Sequence, residues 1–361
     1  MYGKKFFQKQ TEATRIKTLI YEEYISAYLI QNIAKYKKCY IADLFCGPGK
    51  NGRHNGSPLI LIDILRNLFK LKYLQNISEV EVIFNDLDKE IIRKLQKNIS
   101  KTDIPPNIKI NLYNEPFEDI LPKLIESLDQ ENYKFFFLDP FNYSSISMEN
   151  IKNIFNISNA EILFFSPVFH SYRFAYSSVA KGKVKAFLNS FTTKGIHNYR
   201  DIYDFVSSIQ QKLVKELKTP WVREFIIRDS SRVNGLFLIS RNIESMIAAN
   251  EIFWNHTHNG KNISFSCNKK DKCSISEILK LFFISLKRKL KREKNISNLE
   301  LIKFAAIKRV CAKHMLVFLE QLKLKGKIKI KQLLGSINSQ TYNLGMEYCK
   351  GPAQSMFKLI K

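Results

Sequence analysis

The sequence predicts an α/β protein, a doubly wound and mainly parallel sheet followed by a separate basic domain, on three observations. Between residues 38 and 166, short segments apolar on both faces alternate with amphipathic helical patterns, as in a sheet covered by helices on both sides. The first of those segments, CYIADLF, runs into the glycine turn Cys46-Gly47-Pro48-Gly49, at the carboxyl end of a strand, where open α/β sheets bind ligands. Lys and Arg number 58 against 33 Asp and Glu, a net charge of +25. Solubility does not require so large an excess, and a polyanionic partner is the simplest reason to keep it.

The elements follow in order. Residues 11 to 36 place Ile16, Leu19, Ile20, Tyr24, Ala27, Tyr28 and Ile30 at helical spacing, giving an amphipathic helix. After CYIADLF and its turn come a helix in SPLILIDILRNLFKLKYL, a strand in VEVIF, a helix in KEIIRKLQKNI and a strand in IKINLY. A helix through EDILPKLIESL, the strand KFFFL, a helix through SMENIKNI and the strand EILFF complete the alternation. Residues 168 to 220 read as a helical insertion; VREFIIRD and GLFLISRN then form a hairpin closing the sheet edge, and IESMIAANEIFWN is helical. The polar, aperiodic stretch 258–272 is the predicted boundary, giving an α/β domain over 1–257 and a basic domain over 258–361. Three helical patterns ending at Gly326, then an alternating basic strand, predict a winged helix-turn-helix there.

Composition excludes several classes. No apolar run approaches the roughly 20 residues that span a bilayer, and MYGKKFFQKQTEAT lacks the apolar core of a signal peptide, so the reading is a soluble, cytoplasmic protein. The six cysteines are scattered, which argues for reduced thiols rather than a disulfide scaffold. His256, His258, Cys267 and Cys273 lie near one another with poor ligand spacing, and no metal site is expected.

The candidate chemistry sits at the ends of successive strands. Asp43-Leu44-Phe45-Cys46-Gly47-Pro48-Gly49-Lys50 fits neither the dinucleotide fingerprint nor the phosphate loop ending in Gly-Lys-Ser/Thr. A carboxylate before such a turn suits a ligand bearing an ammonium or sulfonium group, and Asp43, Phe45, Cys46, Gly47, Pro48 and Gly49 are the expected cofactor contacts. In Asn85-Asp86-Leu87-Asp88, Asp86 is placed to accept hydrogen bonds from a ribose diol, with Asp88 as the fallback and a helix N-cap as the plain alternative. Glu115, in Asn114-Glu115-Pro116-Phe117 after the third strand, stands where the class I methyltransferases that this pattern resembles hold the adenine amine. The fourth strand ends in Leu138-Asp139-Pro140-Phe141-Asn142, where Asp139 and the Pro140 carbonyl offer acceptors and Phe141 a stacking face; a helix cap is the competing reading for Asp139. Cys46 reads as a small loop residue rather than a nucleophile. His170 and Arg173 could face substrate.

The Asp-Pro-Phe motif resembles the Asp/Asn/Ser-Pro-Pro-aromatic signature of amino-group methyltransferases, without its second proline. The turn resembles that of class I methyltransferases, which implies a Rossmann-like fold and S-adenosylmethionine as cofactor. TEATRIKTLIYEEYISAYL, YIADLFCGPGK with Gly56-Ser57-Pro58, FFFLDPF and GLFLISRNIESMIAANEIFW, taken in order, are similar to the three-Cys-motif partner proteins (TcmP), a bacterial family with a methyltransferase-like domain. That resemblance implies a companion protein carrying three cysteines.

Two functions follow. The chain is expected to methylate nucleic acid, DNA or RNA, or else to bind it as a catalytically inactive partner subunit of a defence or modification complex. The run Lys287, Arg288, Lys289, Lys291, Arg292 and Lys294, and the alternation Lys323, Lys325, Lys327, Lys329 and Lys331 on one face of the wing, are the expected phosphate contacts.

Overall fold

A computed structural model describes residues 12–360 apart from 34, 75–76, 143–144, 176–181, 195–198, 229–232, 258–262, 265–274, 294, 336 and 338–341. The chain forms two compact units, residues 1–241 with 262–270, and residues 242–261 with 271–361.

The first unit opens with α1 (Glu12–Ile33) and β1 (Lys38–Asp43), then the hairpin β2 (Lys50–Asn51) and β3 (His54–Asn55) and α2 (Ser57–Lys70). There follow β4 (Glu79–Asn85), α3 (Lys89–Ile99), β5 (Ile108–Tyr113), α4 (Phe117–Ser127), β6 (Tyr133–Leu138), α5 (Met148–Asn156) and β7 (Ala160–Ser166). The expected insertion is helical: α6 (Val168–Ala175), α7 (Lys183–Phe191) and α8 (Ile202–Leu217). β8 (Val222–Arg228) and β9 (Val233–Ile239) follow.

The eight-stranded sheet has the order β10-β8-β9-β7-β6-β1-β4-β5 with β10 at Ile263–Ser264. From β1 the chain winds outward through β4 and β5, returns to the other side of β1 with β6, and winds outward again through β7, all parallel. The carboxyl ends of β1 and β6 are therefore the point where winding reverses, which is where such sheets leave a crevice. β9 enters antiparallel between β7 and β8. The predicted hairpin forms, but its second strand lies inside the sheet and β10 takes the edge.

Sequence explains the local choices. Phe135, Phe136 and Phe137 of β6 are all buried, as a strand covered on both faces requires. The first helix turns its buried stripe through Ile16, Ile20, Tyr21, Tyr24 and Ile25, while Ala27, expected in that stripe, is exposed. Tyr21 packs on Phe137 with ring centroids 4.5 Å apart and Tyr24 on Phe135 at 6.0 Å, so α1 descends along β6 against its direction. Below, the buried carboxylate of Glu161 accepts hydrogen bonds from Tyr24 Oη (2.8 Å), Tyr133 Oη (3.2 Å) and the Ser240 hydroxyl.

The second unit contains α9 (Ile243–Thr257), α10 (Ile275–Arg292), β11 (Ile296–Ser297), α11 (Asn298–Ile307), α12 (Ala312–Leu324), β12 (Ile328–Gln332) and β13 (Ser355–Leu359). Its three strands form an antiparallel sheet in the order β11-β13-β12. The sequence placed α9 in the first domain; its Asn250 and Trp254 side chains instead donate to the carbonyls of Ala306 (3.1 Å) and Arg309 (2.8 Å), which ties it to the second. Ser297 and Glu300 form a capping box at the start of α11. The lysine alternation is also divided: Lys323 belongs to α12 and Lys325 caps it, whereas Lys329 and Lys331 stand exposed on β12.

Candidate functional site

The turn after β1 is built by its neighbours. Cys46 N–H donates to the Asn85 carbonyl (3.0 Å), Asn98 Nδ2 to that of Pro48 (2.9 Å) and Gly56 N–H to that of Gly49 (2.8 Å). Gly49 has φ +77°, and a Cβ there would lie 2.8 Å from Leu95 Cδ1. At Gly56 a Cβ would come within 3.3 Å of the Gly49 carbonyl carbon. Glycine at both places lets the β2–β3 hairpin fold back on the turn, so Gly-Pro-Gly and Gly-Ser-Pro make one construction.

The expected acids take different positions. Asp43 is wholly buried beneath the turn; its Oδ2 accepts from the Ser57 hydroxyl (2.7 Å) and Oδ1 from Phe45 N–H (3.4 Å). Burial pushes its carboxyl up to about 7, with the Asp139 charge adding to the rise and the Ser57 hydrogen bond opposing it. Asp86 is buried beside the same turn, accepting from Gly47 N–H (3.2 Å) and Asp88 N–H (3.0 Å), and burial raises its pKa as well. Asp88 caps α3, accepting from Glu90 N–H at 2.8 Å. The Glu115 carboxylate pairs with Lys123 at 2.5 Å. Neither Asp43, Asp86 nor Glu115 lines the cleft described next.

That cleft, about 210 Å³, joins the two strand ends. Phe45, Cys46, Gly47, Pro48 and Gly49 form one side; Asp139, Pro140 and Phe141 form another. Phe165, Pro167 and Phe169 complete an aromatic wall. Phe141 is 50% exposed at its mouth. Asp139 caps no helix among the described residues, and Ser147 caps α5. Instead it receives the ammonium of Lys17, which also sits 4.5 Å from the centre of the Phe165 ring. The thiol of Cys46 is pushed well above its ordinary pKa by burial and then by Asp43 and Asp86, which suits a packing residue better than a nucleophile. Arg173 is exposed, its guanidinium 5.7 Å from the Phe169 ring centre; the His170 side chain lies outside the described residues.

Three residues here escaped the sequence reading. Lys17 and Tyr21 line the cleft from α1, and the Tyr21 hydroxyl is buried without a hydrogen-bond partner among the described residues. The available signal was a lysine four residues ahead of Tyr21 on an otherwise buried helical stripe. Asn85 is the third: its carboxamide donates to the carbonyl of Glu115 (3.1 Å) and accepts from Glu115 N–H (3.1 Å), strapping the end of β4 to the loop after β5.

In the second unit Lys287, Arg288, Lys291, Arg292, Lys325, Lys327 and Lys329 are all exposed, and Lys294 lies outside the described residues. His258, Cys267 and Cys273 also lie outside them, and the described residues hold no cluster of three or more His, Cys, Asp or Glu suited to a metal ion. No described helix is long and apolar enough to cross a membrane.

No protein-family model and no curated protein matches the chain. Among solved structures, a Legionella pneumophila protein of the DUF519 family is similar over 70% of this chain and 95% of its own at 16% identity and TM-score 0.42. A Bacillus cereus O-methyltransferase in complex with SAH is similar over 60% and 78% at 10% identity and TM-score 0.33. A Methanosarcina mazei SAM-dependent methyltransferase matches over 57% and 94% at 16% identity and TM-score 0.29. At such scores the functional reading rests on this chain's own geometry.

Proposed function

We propose that the chain is an S-adenosylmethionine-dependent methyltransferase acting on nucleic acid, with a base amino group as acceptor. The observation that carries this reading is a single cleft joining a glycine turn to Asp139-Pro140-Phe141 across the reversal of strand winding.

The residues fit the cofactor. The Tyr21 hydroxyl, buried and without a partner among the described residues, calls for a polar ligand atom. Gly56 and Ser57 bring the start of α2 to the cleft, where backbone N–H groups favour a carboxylate, while Asp43 beneath the turn favours an ammonium group. Aromatic walls suit a sulfonium. Bound there, S-adenosylmethionine supplies an electrophilic methyl group.

The chain's own work is then placement. Asp139 Oδ1 and the Pro140 carbonyl accept hydrogen bonds from the target amine, directing its lone pair, and Phe141 stacks the base at the mouth. The second unit, in this reading a winged helix, holds phosphates with its exposed lysines and arginines. The TcmP resemblance adds a companion protein carrying three cysteines.

One observation favours the alternative of an inactive binding subunit: Lys17 already occupies Asp139 Oδ2, and Phe141 stands where the methyltransferase signature has its second proline. Calorimetric titration of the full chain with S-adenosylmethionine, paired with transfer of a labelled methyl group to DNA and RNA, separates the two. Saturable binding with label on the nucleic acid is expected; no binding at millimolar cofactor would overturn the enzyme.

A further inference from the structure

The basic run on α10 is not one surface. Ser285, Arg288, Lys289 and Arg292 recur at three- and four-residue intervals and so share a helix face. They line a notch of about 290 Å³ whose other side is Phe304 and Lys308 of α11 and its cap. Lys287 and Lys291, equally exposed, take no part in it.

Its charge is unusually concentrated. Four cations converge on it, and the nearby acid is Glu293, which pairs with Lys289 (2.7 Å) and Arg292 (2.8 Å). Arg288 and Lys308 make no ion pair among the described residues. Lys289 and Lys308 lie 5.8 and 6.0 Å from the centre of the Phe304 ring, so an aromatic face floors the cationic walls.

We propose that this notch seats a phosphodiester group of a nucleic-acid strand, with its sugar against Phe304. The proposal rests on the nucleic-acid reading above and narrows it from a diffuse basic surface to a defined site. Guanidinium forks from Arg288 and Arg292 match phosphate oxygens in pairs, and Lys308 adds a point charge from the opposite wall.

The test compares two charge-matched double variants of the full chain, Arg288→Ala/Lys308→Ala and Lys287→Ala/Lys291→Ala. Anisotropy is read with a labelled DNA strand of about 20 nucleotides, and with the RNA strand of the same sequence, across a salt series. The notch variant is expected to bind about tenfold or more weakly and to reduce the salt slope by about 0.7, the share of one phosphate contact on a single strand. The control pair is expected to lose less than about threefold. Equal losses from the two pairs would overturn the notch in favour of diffuse attraction. Failure of the unaltered protein to bind either strand would overturn it together with the nucleic-acid reading. Competition by phosphatidylserine vesicles, lost in the notch variant alone, would reassign the site to lipid.

Discussion

The loops after β1 and β6 both carry an aspartate, yet one is closed and the other open. After β1, Asp43 is sealed under a turn whose main chain is tied to Asn85, Asn98 and Gly56. After β6, Asp139 faces a cleft, Phe141 stands half exposed, and the carboxylate is held by a side chain from a distant helix. The first loop is fixed by its own fold; the second is left for something to enter. In a transferase that division matches a resident cofactor and a visiting acceptor.

The largest effect is expected at the open loop. Asp139→Ala should lower methyl transfer about 10²- to 10³-fold, the usual range for removing one preorganised polar contact, with cofactor affinity nearly unchanged; the stranded Lys17 ammonium should in addition lower the melting temperature by a few degrees. Label transfer and calorimetry on one preparation check both. A matching loss of cofactor affinity would erase the distinction between the loops.

The closed loop should answer in stability. Gly49→Val places a branched side chain at positive φ against Leu95, at an expected cost of about 3 kcal/mol by denaturant titration, from backbone strain and overpacking.

How much of this was legible follows the same division. Asp43, Gly47, Pro48 and Gly49 were readable because a strand and its turn are contiguous in sequence. Asp139-Pro140-Phe141 was readable for the same reason. Lys17 and Tyr21 reach the cleft across more than a hundred residues, through a helix docking angle that local periodicity does not encode. The inward placement of β9 and the transfer of α9 to the second unit were hidden likewise, because pairing order and helix packing are decided by tertiary contacts.

The buried acid gives a pH test of the closed loop. Asp43 is raised from 3.8 to about 7, so between those values the folded chain holds a proton that the unfolded chain releases. Stability should therefore fall as pH rises, by about 2 kcal/mol between pH 5 and 7. Asp43→Asn should flatten that decline, and a cationic ligand over the turn should bind better as pH rises through about 7. An unchanged slope in the variant would place the titration elsewhere.

The smallest effect is expected from Phe141→Ala. Loss of a stacking face costs about 1 to 3 kcal/mol per base, read as roughly tenfold in kcat/KM on a nucleic-acid substrate and nothing in melting temperature.

The Glu161 anchor gives α1 two unequal attachments. At the base of the sheet, Tyr24 is bolted to a carboxylate that also grips two strands; beside the cleft, Lys17 is held by an ion pair that a competing amine could exchange. Ala13 and Ile16 keep even its first turns packed in the core, so exchange at the cleft end is confined to the Lys17 side chain, and admitting an acceptor need not move the helix.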